Sequence, residues 1–137
     1  MAPQLVSRKL GNLLILRHSK ESPADEEWDA CLRLMPTTAD ELSRLRVLVV
    51  TDGGGPTVDQ RKRLQRMVQG VAVPIAVVSD SIRIRFVASS VALLTSRIRS
   101  FTENEFEEAL VYLGMQPDER RTAERYLAEM RAAIRGT

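Results

Sequence analysis

The sequence predicts an α/β protein: a mostly parallel sheet of four to five strands, opened by an antiparallel hairpin and extended by an additional C-terminal helix. Three observations predict it. The aliphatic runs "LLIL", "VLVV" and "PIAVV" are continuous rather than alternating, as in strands covered on both faces. Between them lie segments whose apolar residues recur three and four positions apart, the helical period. Strands alternating with helices imply parallel pairing through right-handed crossovers.

Taken in order, "QLVSRKLGNLLILRHS" reads as two short strands around Gly11-Asn12, where a tight turn is favoured. "SPADEEWDACLRLM" reads as a helix. Ser22 is placed to cap it, Pro23 suits its first position, and Asp25, Glu26 and Glu27 match the positive end of the helix dipole. Trp28, Cys31, Leu32 and Met35 form its apolar stripe. Arg46 to Thr51 is the next strand. "TVDQRKRLQRMVQG" is the next helix, with Leu64, Met67 and Val68 inward and Gly70 as its stop. Pro74 to Ser79 is a further buried strand. "DSIRIRFVASSVALLTS" reads as a helix with Phe86, Val87, Ser90, Val91 and Leu94 on one face, although its Ile-Arg-Ile-Arg start alternates like a strand. "RIRSF" is a short last strand. Thr102 and Glu105 then make a capping box before a helix burying Phe106, Ala109, Leu110 and Leu113. A final helix, Asp118 to Ile134, carries Ala123, Tyr126, Leu127, Met130 and Ile134 inward.

A length of 137 residues suits a single domain spanning 1–137, with a core at 4–113 and the additional helix at 117–135. The chain is 44% hydrophobic but only 4% aromatic, so the core is expected to be aliphatic. A net charge of +2 is too small an excess to point to nucleic acid, and no aromatic residues interleave the basic stretches as stacking platforms. Cys31 is the sole cysteine, which leaves no internal disulfide or thiolate metal cluster and suits a reducing cytoplasm. The opening "MAPQLVSRKLGN" lacks a signal-peptide apolar region, and no apolar run approaches the roughly 20 residues of a membrane helix.

The hairpin "LVSRKLGNLLILRHS", the strands "RVLVVTD" and "VPIAVVS", and the short "RIRSF" before a helix together resemble a STAS domain, the fold of bacterial anti-anti-sigma factors, over about Gln4 to Leu113. The resemblance implies a small, cofactor-free, non-catalytic regulatory domain that binds another protein. In well-known members a serine at the start of the helix after the third strand is phosphorylated by a partner kinase. Here one alignment puts Asp52 on the family aspartate, leaving Gly53 and Gly54 at the serine positions. Another uses Asp59, leaving Gln60 and Arg61. Neither supplies the acceptor, and only Thr51 and Thr57 offer a hydroxyl nearby. Some members of the wider fold bind lipids or nucleotides.

The motif "TDGGGPT", Thr51 to Thr57, carries the chemical question. Its glycines permit a sharp strand-to-helix turn, and Pro56 suits a helix start. It also lies at the carboxyl end of a parallel strand, where ligands of open sheets bind, and backbone N–H groups opening onto a helix can hold an anion. The Gly-Lys-Ser/Thr ending of a P-loop is absent. Arg61, Lys62, Arg63 and Arg66 follow as a basic stretch, with Arg83, Arg85, Arg97 and Arg99 flanking the neighbouring helix. Asp52, Gly53, Gly54, Gly55, Thr57, Arg61, Lys62 and Arg63 are therefore the candidate partner-binding residues. His18, the lone histidine, has no second histidine for zinc and no local nucleophile or acid for catalysis, so neither a metal nor a catalytic residue is assigned.

The final helix alternates bases with acids opposite its apolar stripe, which suits docking either on its own domain or on a second subunit as a homodimer. The expected function is thus a non-catalytic regulatory or scaffolding domain presenting Asp52 to Arg66 to another protein. The alternative is a small-ligand carrier, for a lipid or nucleotide, using the same loop. A third reading is an enzyme. A flat exposed surface favours the first, a closed apolar pocket the second, and convergent polar groups in a cleft the third.

Overall fold

In the computed structural model, which describes residues 2–84, 88 and 97–136, β1 (Leu5–Leu10) and β2 (Leu13–His18) form the expected hairpin. Leu10 stands opposite Leu13, and Gly11 takes the turn at φ 59°. β3 (Arg46–Thr51), β4 (Ile75–Val78) and β5 (Ile98–Phe101) follow in parallel, so the sheet order is β1-β2-β3-β4-β5 with only β1 antiparallel.

The continuous aliphatic runs are used on both faces, because successive strand side chains point oppositely. Leu14, Leu16, Val47, Val49 and Ile75 face one side and pack with α1 (Asp25–Leu32) and α3 (Val58–Met67). Leu13, Ile15, Leu48, Val50, Ala76, Val78 and Phe101 face the other. They are covered by α4 (Phe106–Tyr112) and α5 (Pro117–Arg135). Neighbouring parallel strands joined by right-handed crossovers must carry their connecting helices on one side of the sheet. The opposite side would stay wet without the two C-terminal helices. The result is three layers, helix–sheet–helix.

The apolar stripe of α5 docks on β1 and β2 of its own sheet, with Ala123, Met130 and Ile134 buried. Polar contacts hold its flank. Arg46 makes a bidentate pair with Glu119, at 2.9 and 2.6 Å, and also donates to the Leu113 carbonyl. Those guanidinium bonds hold the Glu119 carboxyl below its usual pKa. Arg8 pairs with Glu129 at 2.5 Å and lies 3.6 Å over the Tyr126 ring.

Three local expectations change. Helix α1 begins at Asp25 with Ala24 as its N-cap, so Ser22 and Pro23 precede it. Glu27 Oε1 accepts the Ala24 N–H at 2.9 Å, the half of a capping box that alanine at the N-cap leaves possible, and Ser22 does not cap the helix. A four-residue helix, α2 (Ala39–Leu42), stands where no element was predicted, its Thr38 Oγ1 accepting the Glu41 N–H. The capping box at Thr102 is present, but a 3₁₀ turn, Glu103–Glu105, separates it from α4. The helix predicted after β4 lies outside the described residues, with its inward set Phe86, Val87, Ser90, Val91 and Leu94, except for its start. Residues 82–84 are helical, which decides the ambiguous Ile-Arg-Ile stretch, and the Ser81 hydroxyl accepts the Ile84 N–H.

No helix among the described residues is long and apolar enough to cross a membrane.

Candidate functional site

The loop after β3 is built largely from its own hydrogen bonds. Thr51, 3% exposed, donates its hydroxyl to the Gly54 carbonyl at 2.5 Å and accepts the Gly53 N–H at 3.0 Å. The Asp52 N–H bonds the His18 carbonyl, and the Gly54 N–H bonds the Ser19 carbonyl at 2.8 Å. Two of the three glycine N–H groups are therefore already engaged, which argues against a phosphate cradle. The glycines have separate reasons. Gly53 sits at φ +133°, a conformation other residues rarely adopt. A Cβ at Gly54 would lie 2.3 Å from the Glu21 carbonyl oxygen, so the two adjoining loops touch only because that atom is missing. Among the described residues, a Cβ at Gly55 would meet nothing closer than Ile84 Cδ1 at 3.6 Å.

Thr57 then caps α3. Its hydroxyl accepts the Gln60 N–H, and Gln60 Oε1 accepts the Thr57 N–H at 3.0 Å. Gln60 is 2% exposed and also stitches α3 to α1. Its Nε2 donates to the Pro23 carbonyl and to Asp25, and its carbonyl accepts Trp28 Nε1–H at 2.9 Å.

Beneath α1 and α3 the first face of the sheet floors a cavity of about 340 Å³. Parallel register arranges that floor in rows. Leu14, Val47, Ile75 and Ile98 make the first, Leu16, Val49 and Val77 the second, and His18 and Thr51 the third. Trp28, Cys31, Leu32 and Met35 wall it from the α1 side, Leu64 and Val68 from α3 and its end. Gly54, Gly55, Pro56, Arg61 and Arg83 border it at the carboxyl edge. The wall is thus aliphatic at one end and polar at the other.

His18 is 1% exposed, and its Nδ1 has no hydrogen-bond partner among the described residues. Burial lowers its pKa to about 4, against the opposing pull of Glu27, so the ring is neutral at pH 7. Burial likewise pushes the Cys31 thiol up to about 11, which keeps it a thiol rather than a nucleophilic thiolate.

The predicted site residues do not form one patch. Gly54, Gly55 and Arg61 line the cavity. The Gly53 carbonyl accepts Arg83 Nη2 at 3.1 Å. Thr57 caps α3, Lys62 is exposed, and Arg63 pairs with Asp29 of α1. Asp52 turns to the second face, where it pairs with Arg17 at 2.6 Å and with Arg135 of α5 at 3.3 Å. Arg17 is 6% exposed. Its pKa is lowered by burial, and Asp52 offsets part of that cost. His18, to which the sequence assigns no ligating or catalytic role, lines the cavity. The available signal was parity along β2, which places His18 on the same face as Leu14 and Leu16, and Arg17 with Leu13 and Ile15.

Fold and site together define an α/β protein with a five-stranded, mostly parallel sheet and a cavity on one of its faces. Compared with protein-family models, curated proteins and solved structures, the chain matches none.

Proposed function

We propose that this chain is a non-catalytic binding domain that takes up a small, largely apolar molecule between its sheet and the helices α1 and α3. The cavity carries this reading. Its volume of about 340 Å³ falls within the roughly 300–1,000 Å³ of small-molecule sites, and its lining is mainly aliphatic with a few polar groups at one end. A neutral His18 and an un-ionised Cys31 supply neither a charged acid–base pair nor an activated nucleophile.

Trp28, the only tryptophan, lines the cavity and reports on its contents. The test is titration with an apolar fluorescent dye, with Trp28 emission and melting temperature read in parallel. Saturable binding that raises the melting temperature is expected, because a ligand selective for the native state must stabilise it. Val49→Phe, which fills the floor, should weaken it. ATP and GTP should leave the melting temperature unchanged. Absence of saturable dye binding to the folded wild type would refute the reading.

A second reading keeps the STAS-like regulatory role in a bacterial cytoplasm. It draws support from the opening hairpin and the sequential parallel strands, and from one surface observation. Val58 and Ile82 are 56% and 76% exposed at the starts of the helices following β3 and β4, and Val58 shares α3 with Arg61 and Lys62. Such an edge suits a protein partner with apolar and acidic groups. Affinity purification from the native cell with wild type and with a Val58→Glu/Ile82→Glu variant tests it, and equal recovery of every partner would reject it.

A further inference from the structure

Resting on the cavity reading, we infer that the occupant is an anionic amphiphile: a single acyl chain with a carboxylate, its tail over the aliphatic rows and its head at Arg61 and Arg83. The argument comes from the order of residues along the strands. Rows two residues apart are spaced by about 6.6 Å, so the floor runs roughly 13 Å from the Leu14 row to the His18 row. Over that length it passes from wholly aliphatic to polar. A uniformly apolar ligand would be set against the polar row of His18 and Thr51, and a uniformly polar one against the Leu14 and Leu16 rows.

Charge selects the head group. The only formally charged side chains among the described lining residues are Arg61 and Arg83, both cationic. Neither forms an ion pair among the described residues, and Arg83 makes one hydrogen bond, to a backbone carbonyl. Three acids of α1 are engaged elsewhere. Asp25 accepts from Gln60, Glu27 accepts the backbone N–H groups of Gln4 and Ala24, and Asp29 pairs with Arg63. None of the three lines the cavity. Arg61 stands in the first turn of α3, and Arg83 lies within the helical turn at residues 82–84. Both are therefore at the carboxyl edge, beside the polar row. Guanidinium groups there fit a carboxylate by charge-assisted hydrogen bonds while the chain stays out of water.

The experiment compares decanoate with decanol, identical chains with and without the charge, by Trp28 fluorescence and calorimetric titration. Wild type should bind decanoate about tenfold or more tightly than decanol, the scale of a charge-assisted hydrogen bond. Arg61→Gln/Arg83→Gln should remove that preference and leave decanol binding unchanged, whereas Arg61→Lys/Arg83→Lys should keep it. Equal affinity of wild type for the two ligands would overturn the head-group assignment while leaving the cavity reading in place. So would a preference that survives the double glutamine variant. Binding of neither ligand, with no dye uptake, would overturn both.

Discussion

The glycine loop supports a paired substitution in which neighbouring residues of the same type behave differently. Gly54→Ala adds a methyl group whose carbon would lie 2.3 Å from the Glu21 carbonyl oxygen, 2.7 Å from that of Ser19 and 2.8 Å from the Glu21 carbonyl carbon. All three are backbone atoms and cannot swing aside like the end of a side chain. Reaching ordinary contact near 3.4 Å requires the loop after β3 to withdraw by about 1 Å from the loop after β2. That movement breaks the 2.8 Å bond from the Gly54 N–H to the Ser19 carbonyl. Overpacking of about 1–3 kcal/mol and a hydrogen bond of about 1 kcal/mol place the total near 2–4 kcal/mol. At about 2.1 cal/mol/K of unfolding entropy per residue, a chain of 137 residues melts roughly 3.5 °C lower per kcal/mol. A fall of about 7–14 °C is expected.

Among the described residues, Gly55→Ala meets only Ile84 Cδ1 at 3.6 Å, and it needs no positive φ. It should be neutral, or stabilise by up to about 1 kcal/mol through the lost freedom of the unfolded chain. Urea denaturation of both variants, with calorimetric melting, checks the pair. Equal midpoints for Gly54→Ala and Gly55→Ala would show that loop contact is not what requires glycine at position 54.

Asp52→Asn should destabilise the fold by about 3–5 kcal/mol in urea denaturation, because it strands the buried Arg17 charge; Arg17→Met/Asp52→Leu should recover much of that loss. The depressed His18 pKa means that the unfolded chain binds a proton the native state refuses. Stability is therefore complete above about pH 6.5 and falls as pH drops toward about 4, by about 3 kcal/mol at most. His18→Leu should flatten that slope relative to wild type when denaturation midpoints are measured across the window.

The fold was legible where hydrophobic pattern and local chemistry agree. Leu13 to Leu16 read as a strand covered on both faces, and all four are buried. Trp28, Cys31, Leu32 and Met35 read as one stripe, and each is at most 7% exposed, although the helix itself ends at Leu32 and a turn carries Met35. Helix α2 escaped because four residues cannot display a period, and Thr38 with Glu41 was its only local mark. The site was less legible for a different reason. Asp52 pairs with Arg17 and Arg135, 35 and 83 positions away in sequence, and no local spacing records such partners. The basic run at Arg61 to Arg66 looked uniform, yet tertiary packing gives Arg61 to the cavity and Arg63 to Asp29. The cavity is a property of how α3 sits, which follows from the packing of several elements at once.

That packing differs between the two faces of the sheet. On the second face Ala76, Ala109 and Ala123 are fully buried, so small side chains let helices α4 and α5 approach closely. On the first face the apolar residues of α3 and its end, Leu64, Met67 and Val68, are only partly buried. Their side of the sheet retains about 340 Å³. That pocket is open at its rim, where Ser22 and Arg83 are exposed, so water reaches it, but water restores no packing contacts to the Leu14 and Leu16 rows. On the proposed reading an apolar chain seated there would supply those contacts, and their gain would drive its binding.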